Sequence, residues 1–142
     1  MPAGARDDLV ARMAGPGRYY HDLGHLAQLW GHHLRFGAGL AVGRAPWHRL
    51  IACTIAFHDA VYDPARRDNE ACSAALWHDA APAVAPWEAE WVAVTILATA
   101  DHAAAAPAPE MPPEAWTARL WMLDLDLTPL AAPPAQFDAN TV

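Results

Sequence analysis

Lysine is absent, and all nine basic residues are arginine, a bias that reads as coding composition rather than selection at any one position. The arginines are also scattered, with Arg66-Arg67 the only adjacent basic pair in a chain of net charge −7. Phosphate backbones are held by clustered Lys and Arg, so a nucleic-acid polymer is excluded as a partner, while a small anion held through a metal is not. Cysteine is scarce too. Cys53 and Cys72 have neither CxxC nor Cys-His spacing and fall inside predicted helices, so they read as buried reduced thiols rather than a disulfide framework. Long apolar runs are missing: the longest, Trp91 to Ala100, is broken by Thr95 and Thr99 and falls well short of the ~20 residues that span a bilayer. Nor does a basic start followed by an apolar run mark a leader. These absences lead to the expectation of a soluble, cytoplasmic protein with no membrane partner.

What is present is alanine, proline and helical spacing. A length of 142 residues corresponds to one domain, 1–142, large enough to bury a core, and the alanine-rich composition favours an all-α fold. Thirteen prolines punctuate it, with Pro16, Pro46, Pro64, Pro82, Pro86 and the Pro107 to Pro113 cluster at predicted element ends. The spacing predicts about five to six helices: Asp7-Asp8 to Met13, Tyr20 to Phe36, Pro46 to Val61, Asp68 to Trp77, Trp87 to Ala100, and Pro113-Glu114 to Leu127. Leu23, Leu26, Trp30 and Leu34 form the expected inward stripe of the second helix, and Trp87, Trp91, Val94 and Ala98 that of the fifth. The sixth carries Leu120, Met122, Leu123 and Leu127. His32, His33 and His48 read as surface residues.

The chemistry concentrates around Phe57-His58-Asp59-Ala60-Val61-Tyr62-Asp63. An apolar run, Leu50 to Ala56, leads into it and carries His58 and Asp59 toward the interior. Buried imidazole and carboxylate groups need partners, and a divalent cation satisfies both at once. A His-Asp pair alone is weak support, since His21-Asp22 and His78-Asp79 occur as well. Two other segments supply context. His21 and His25 are four apart on the second predicted helix and so share a face. In Leu123-Asp124-Leu125-Asp126-Leu127, acidic residues two apart in an apolar helix cannot both face one pocket, so one of them is the inward carboxylate. His25, His58, Asp59 and that carboxylate would give two nitrogen and two oxygen ligands, a mixture that suits Mn, Fe or Co first and also admits Mg, Ni or Zn.

In this order the residues resemble the HD-domain superfamily of metal-dependent phosphohydrolases, and within it the bacterial predicted HD phosphohydrolases. The matching segments are Tyr20-His21-Asp22-Leu23-Gly24-His25, Phe57 to Asp63 followed by Asp68-Asn69-Glu70, Thr99-Ala100-Asp101-His102, and Asp124-Leu125-Asp126-Leu127. Together they cover about residues 18 to 127. The resemblance implies a helical bundle with a central metal site and His25, His58, Asp59 and Asp126 as ligands. It makes His21 the proton donor and Asp59 part of the catalytic group. A cationic donor beside an ion needs a carboxylate to hold its proton, and Glu70 or Asp22 is the candidate for that partner of His21. Asp68, Asn69 and Glu70 would orient substrate or support the ligands, and His102 would line the pocket. Read without the resemblance, Asp68 and Glu70 are equally a helix cap and surface charge.

The implied activity is hydrolysis of a small phosphoester by metal-activated water. The alternative is a non-catalytic domain that keeps a metal or nucleotide as a structural or sensing ligand. Two departures stand out. Position 22 is Asp where related segments usually carry Asn, and the further helices with Arg and Tyr that relatives place after the Asp-Leu segment are not present. The second leads to the expectation of either a homodimer that covers the core edge or a weakly stable monomer, with Gln136 to Val142 resembling the start of an unfinished helix.

Overall fold

The computed structural model describes residues 3–15, 18, 21–81 and 83–131. Expectations placed on Pro16, Tyr20, Pro82 and the 136–142 segment lie outside these residues. Among these residues six α-helices follow one another: α1 (Ala3–Met13), α2 (Leu23–Gly37), α3 (Trp47–Phe57), α4 (Asn69–Ala80), α5 (Pro86–Ala98) and α6 (Pro113–Leu127). Short 3-10 turns lie at Ala41–Gly43 and Thr128–Ala131, and no strand occurs among the described residues. The chain is all-α, as its composition and spacing predict.

The bundle is built around α3, which packs against α2, α4, α5 and α6. Its Leu50, Ile51, Ile55 and Phe57 are buried against Leu29, Trp77, Val92, Ile96 and Met122 of the surrounding helices. Polar groups in this core are satisfied locally: Thr54 donates to the Leu50 carbonyl (2.9 Å) and Trp77 Nε1 to the Ala89 carbonyl (2.9 Å). Glu88 is buried and accepts from the exposed Arg49 across the α3–α5 seam, and its other oxygen accepts from the Ala85 amide, closing the first turn of α5. At Gly43 an added Cβ would fall on the Gly37 carbonyl, so the turn after α2 closes this tightly only with glycine.

Several boundaries and faces differ from the sequence expectation. α1 begins at Ala3, so Asp7 and Asp8 lie within it rather than at its start. α3 ends at Phe57 and not at Val61, and α2 begins at Leu23 and not at Tyr20. The buried stripe of α2 is His25, Leu29, His33 and Gly37, while Leu23 and Leu34 are exposed. Likewise Trp87 is exposed on α5, and Leu120 and Leu127 on α6. Burying Leu23 and Leu34 instead would gain roughly 1 kcal/mol each for half a side chain. It would also withdraw His25 and His33 from partners on α3 and α6, at about 1–3 kcal/mol for each polar group left unpaired. The polar partners decide the rotation of the helix. Cys53 and Cys72 are free thiols but only half-buried.

His33, read as a surface residue, is fully buried between three helices, and His48 joins it. Trp121 Nε1 donates to His33 Nδ1 (3.0 Å), and His33 Nε2 lies 3.0 Å from His48 Nδ1. Indole N–H is a donor only, so His33 must accept at Nδ1 and carry its proton at Nε2. The two rings stack, with Trp30 beside both. Burial, then the neighbouring His48, pulls the His33 pKa below its ordinary 6.5.

The unfolded chain therefore binds a proton here at a pH where the folded chain does not. This contribution to stability is complete above about 6.5 and is lost as pH falls from there through the lower folded value. His33→Asn, whose Oδ1 takes the place of Nδ1 as acceptor for Trp121, should flatten the acid limb of the Tm profile relative to wild type. An unchanged acid limb would remove His33 from the linkage.

Candidate metal centre

Three helix ends meet at one end of the bundle: α2 starts there, and α3 and α6 finish there. Asp22 is the N-cap of α2, its Oδ1 accepting from the amides of Gly24 (2.8 Å) and His25 (3.1 Å), which sets His25 in the first turn facing inward. His58 is the C-cap of α3. Its amide donates to the Thr54 carbonyl, and its ring Nδ1 donates to the Ile55 carbonyl at 3.0 Å. A carbonyl can only accept, so Nδ1 carries a proton and Nε2 is the nitrogen presented to the site, the arrangement by which a ligating histidine is held in one tautomer. Asp126 comes from the last turn of α6, and His102 holds its Oδ2 at 2.9 Å.

The distances define the cluster. His25 Nε2 lies 3.3 Å from His58 Nε2, and Asp126 Oδ1 is 3.3 Å from each of them. Asp59 Oδ2 is 3.0 Å from His58 Nε2 and 3.6 Å from His25 Nε2. The same oxygen is 2.6 Å from His21 Nδ1. His25 thus belongs to two ligand triads, one with His58 and Asp126 and one with His21 and Asp59. Adjacent donors around an ion with bonds of about 2.0–2.3 Å sit roughly 3 to 3.5 Å apart, which is the spacing found. His25 and His58 are buried, and the two carboxylates are mostly so.

Electrostatics point the same way. Burial pushes both carboxyls up, but the charge of His58 and hydrogen bonds from His21 and His58 reverse this for Asp59. For Asp126, hydrogen bonds from His102, His25 and His58 do so. Both stay well below the usual carboxylate range. Burial likewise pulls His58 down, and the Asp59 charge with hydrogen bonds to Asp126 and Asp59 outweighs it, pushing His58 up to about 10. A cluster that attracts a proton so strongly demands positive charge at its centre, and two imidazole nitrogens with two carboxylate oxygens are a donor set that fits a divalent ion.

The remaining sequence candidates fall in different places. His21 precedes the N-cap, so it does not share a helix face with His25, and Asp59 rather than Asp22 or Glu70 is the carboxylate on its ring. Glu70 is half-buried in the first turn of α4 and belongs to neither triad. Asp68 occupies the N-cap position of α4 without capping through its side chain, which is exposed and pairs with Arg66 at 2.7 Å. Asn69 accepts from the Asp63 amide and donates to its carbonyl, so it shapes the loop after Asp59. Asp124 is exposed. Tyr62, part of the Phe-His-Asp-x-Val-Tyr-Asp segment but given no role there, packs its ring 4.5 Å from that of His21. It also lines a cleft of about 480 Å³ with Arg12, Arg18, Asp63 and Pro64.

Asp126→Ala should abolish retention of a divalent ion in elemental analysis, since it removes one donor and strands His102, while Asp124→Ala on the exposed face should retain it. Calorimetric titration at neutral pH in buffers of different ionisation enthalpy should register roughly one proton released per ion, because the ion must displace the proton that His58 holds. Binding without proton release would place the ion elsewhere.

Searches against protein-family models, curated proteins and solved structures each found no match to this chain. The chain is a helical bundle whose buried His/Asp groups can hold a metal ion, an arrangement compatible with an HD-like fold.

Proposed function

We propose that the chain hydrolyses a small phosphoester, a nucleotide or another phosphomonoester or diester, with a divalent ion held by His25, His58, Asp59 and Asp126. The observation that carries this reading is the 2.6 Å contact between His21 Nδ1 and Asp59 Oδ2 directly beside the converging donors. A structural metal site needs ligands alone. Here a further histidine, half-exposed and ordered by a ligand carboxylate, packs against Tyr62, whose side chain lines a cleft.

The ion, when bound, would supply Lewis acidity toward the phosphate and toward an attacking water. Manganese, iron or cobalt suits the mixed nitrogen and oxygen donors best. The protein's own groups do the rest. Asp59 accepts a hydrogen bond from His21 Nδ1–H, which leaves Nε2–H to hand its proton to the departing oxygen as the P–O bond breaks and the bond from water forms. His102 keeps Asp126 oriented. The net charge of −7 disfavours a polyanionic partner and leaves a small phosphorylated substrate engaged through the ion.

With a metal-loaded preparation and a panel of phosphoesters, His21→Ala should keep the ion and lower kcat by about 10²- to 10⁴-fold on substrates with poor leaving groups. Aryl phosphates, whose leaving oxygen needs little protonation, should lose much less. Equal losses on both classes would remove His21 as the acid, and a loaded wild-type protein that turns over no phosphoester would remove the activity.

A further inference from the structure

We propose that Arg18 is the positioning residue of this site, a clamp that brings His21 and Asp59 together by holding their backbones. The inference rests on the metal-site reading above for its functional consequence. His21 lies outside α2 and Asp59 lies beyond the end of α3, so neither is placed by a helix. Something else must fix two loop residues to a 2.6 Å contact.

The guanidinium of Arg18 reaches both segments. Nη1 donates to the carbonyls of His21 (2.9 Å) and Asp59 (2.7 Å), and Nη2 donates to the carbonyl of Ala60 (2.9 Å). Met13 Sδ lies 3.3 Å from Nη1 and closes the α1 side. The carbonyls of Asp59 and Ala60 lie just past the C-cap of α3, His58, near the helix end that favours a cation. Arg18 therefore fixes the chain as it leaves α3, and ties the His21 backbone to it.

Tyr62 completes the arrangement: its ring packs on His21 and has the Arg18 Cζ 5.8 Å from its centroid. Among the described residues Arg18 makes no ion pair with a carboxylate; its acceptors are these carbonyls and the Met13 sulfur. A planar guanidinium presents parallel donors to carbonyls from two segments at once; an ammonium is a single point. The spacing of the sequence segments gives no sign of this role, because Arg18 acts on backbone atoms and any residue type could supply those.

The test has a metal arm and a metal-free arm. Groups that orient metal ligands typically change metal affinity by 10- to 100-fold when removed. Titration of Mn²⁺ into Arg18→Ala should show a loss of roughly that size, with helix content unchanged by circular dichroism. Without metal, the unfolding constants of Arg18→Ala, His21→Ala and the double variant form a cycle. The clamp requires a coupling of about fivefold or more, since His21 lacking its tether has no contact with Asp59 to lose.

Where Arg18→Ala fails to fold, Arg18→Lys serves in the same cycle and should show intermediate coupling. If wild type takes up no Mn²⁺ but the cycle is coupled, the metal reading fails and the clamp stands. If wild type binds Mn²⁺ and Arg18→Ala or Arg18→Lys binds it equally well with additive unfolding effects, the clamp is overturned and the metal reading stands.

Discussion

Two imidazole nitrogens and two carboxylate oxygens converge within a few ångströms in a largely dry pocket, and such a group is stable only around a positive charge. That requirement governs the end of the bundle where α2, α3 and α6 meet. Without an ion a proton on His58 serves, which is why burial fails to neutralise that ring and its pKa is pushed up to about 10. An isolated buried charge would cost several kcal/mol, so the cluster persists because its members compensate one another. The helices ending there are held by the same groups: Asp22 begins α2, His58 ends α3, and His102 secures Asp126 on α6.

A second polar group, about two turns further along α2, keeps the same three helices in register. His33 of α2 meets His48 near the start of α3 and Trp121 of α6. The α2 face thus carries a buried histidine two turns apart at each junction, His25 at one and His33 at the other, with Leu29 between them. Apolar burial along α3 drives the collapse of the bundle. The two polar junctions select how α2 is rotated within it, because an apolar stripe one residue away would bury nearly as much area and leave partner groups on α3 and α6 unpaired.

The division of labour at the site follows from Asp59 Oδ2. It approaches His58, His25 and His21, so one oxygen serves both the metal donors and the proposed acid. Moving it would disturb both. Asn69 and Ser73 hold the loop that follows, through the backbone of Asp63 and Val61, while Arg18 holds its beginning.

The sequence by itself determined the helical class, a count of about five to six helices and the residue types at the centre. Proline punctuation and alanine content are local signals, and a histidine or carboxylate set into an apolar run declares its need for a partner wherever it folds. Only the tertiary structure decided which partner each group received. Asp59 rather than Glu70 or Asp22 lies on His21, and His33 is buried with a half-buried His48 beside it rather than both lying at the surface. Those outcomes depend on helix rotation and on where helices end. Both are set by contacts between residues dozens of positions apart, His25 with His58 and Trp121 with His33, which periodicity along one segment does not encode.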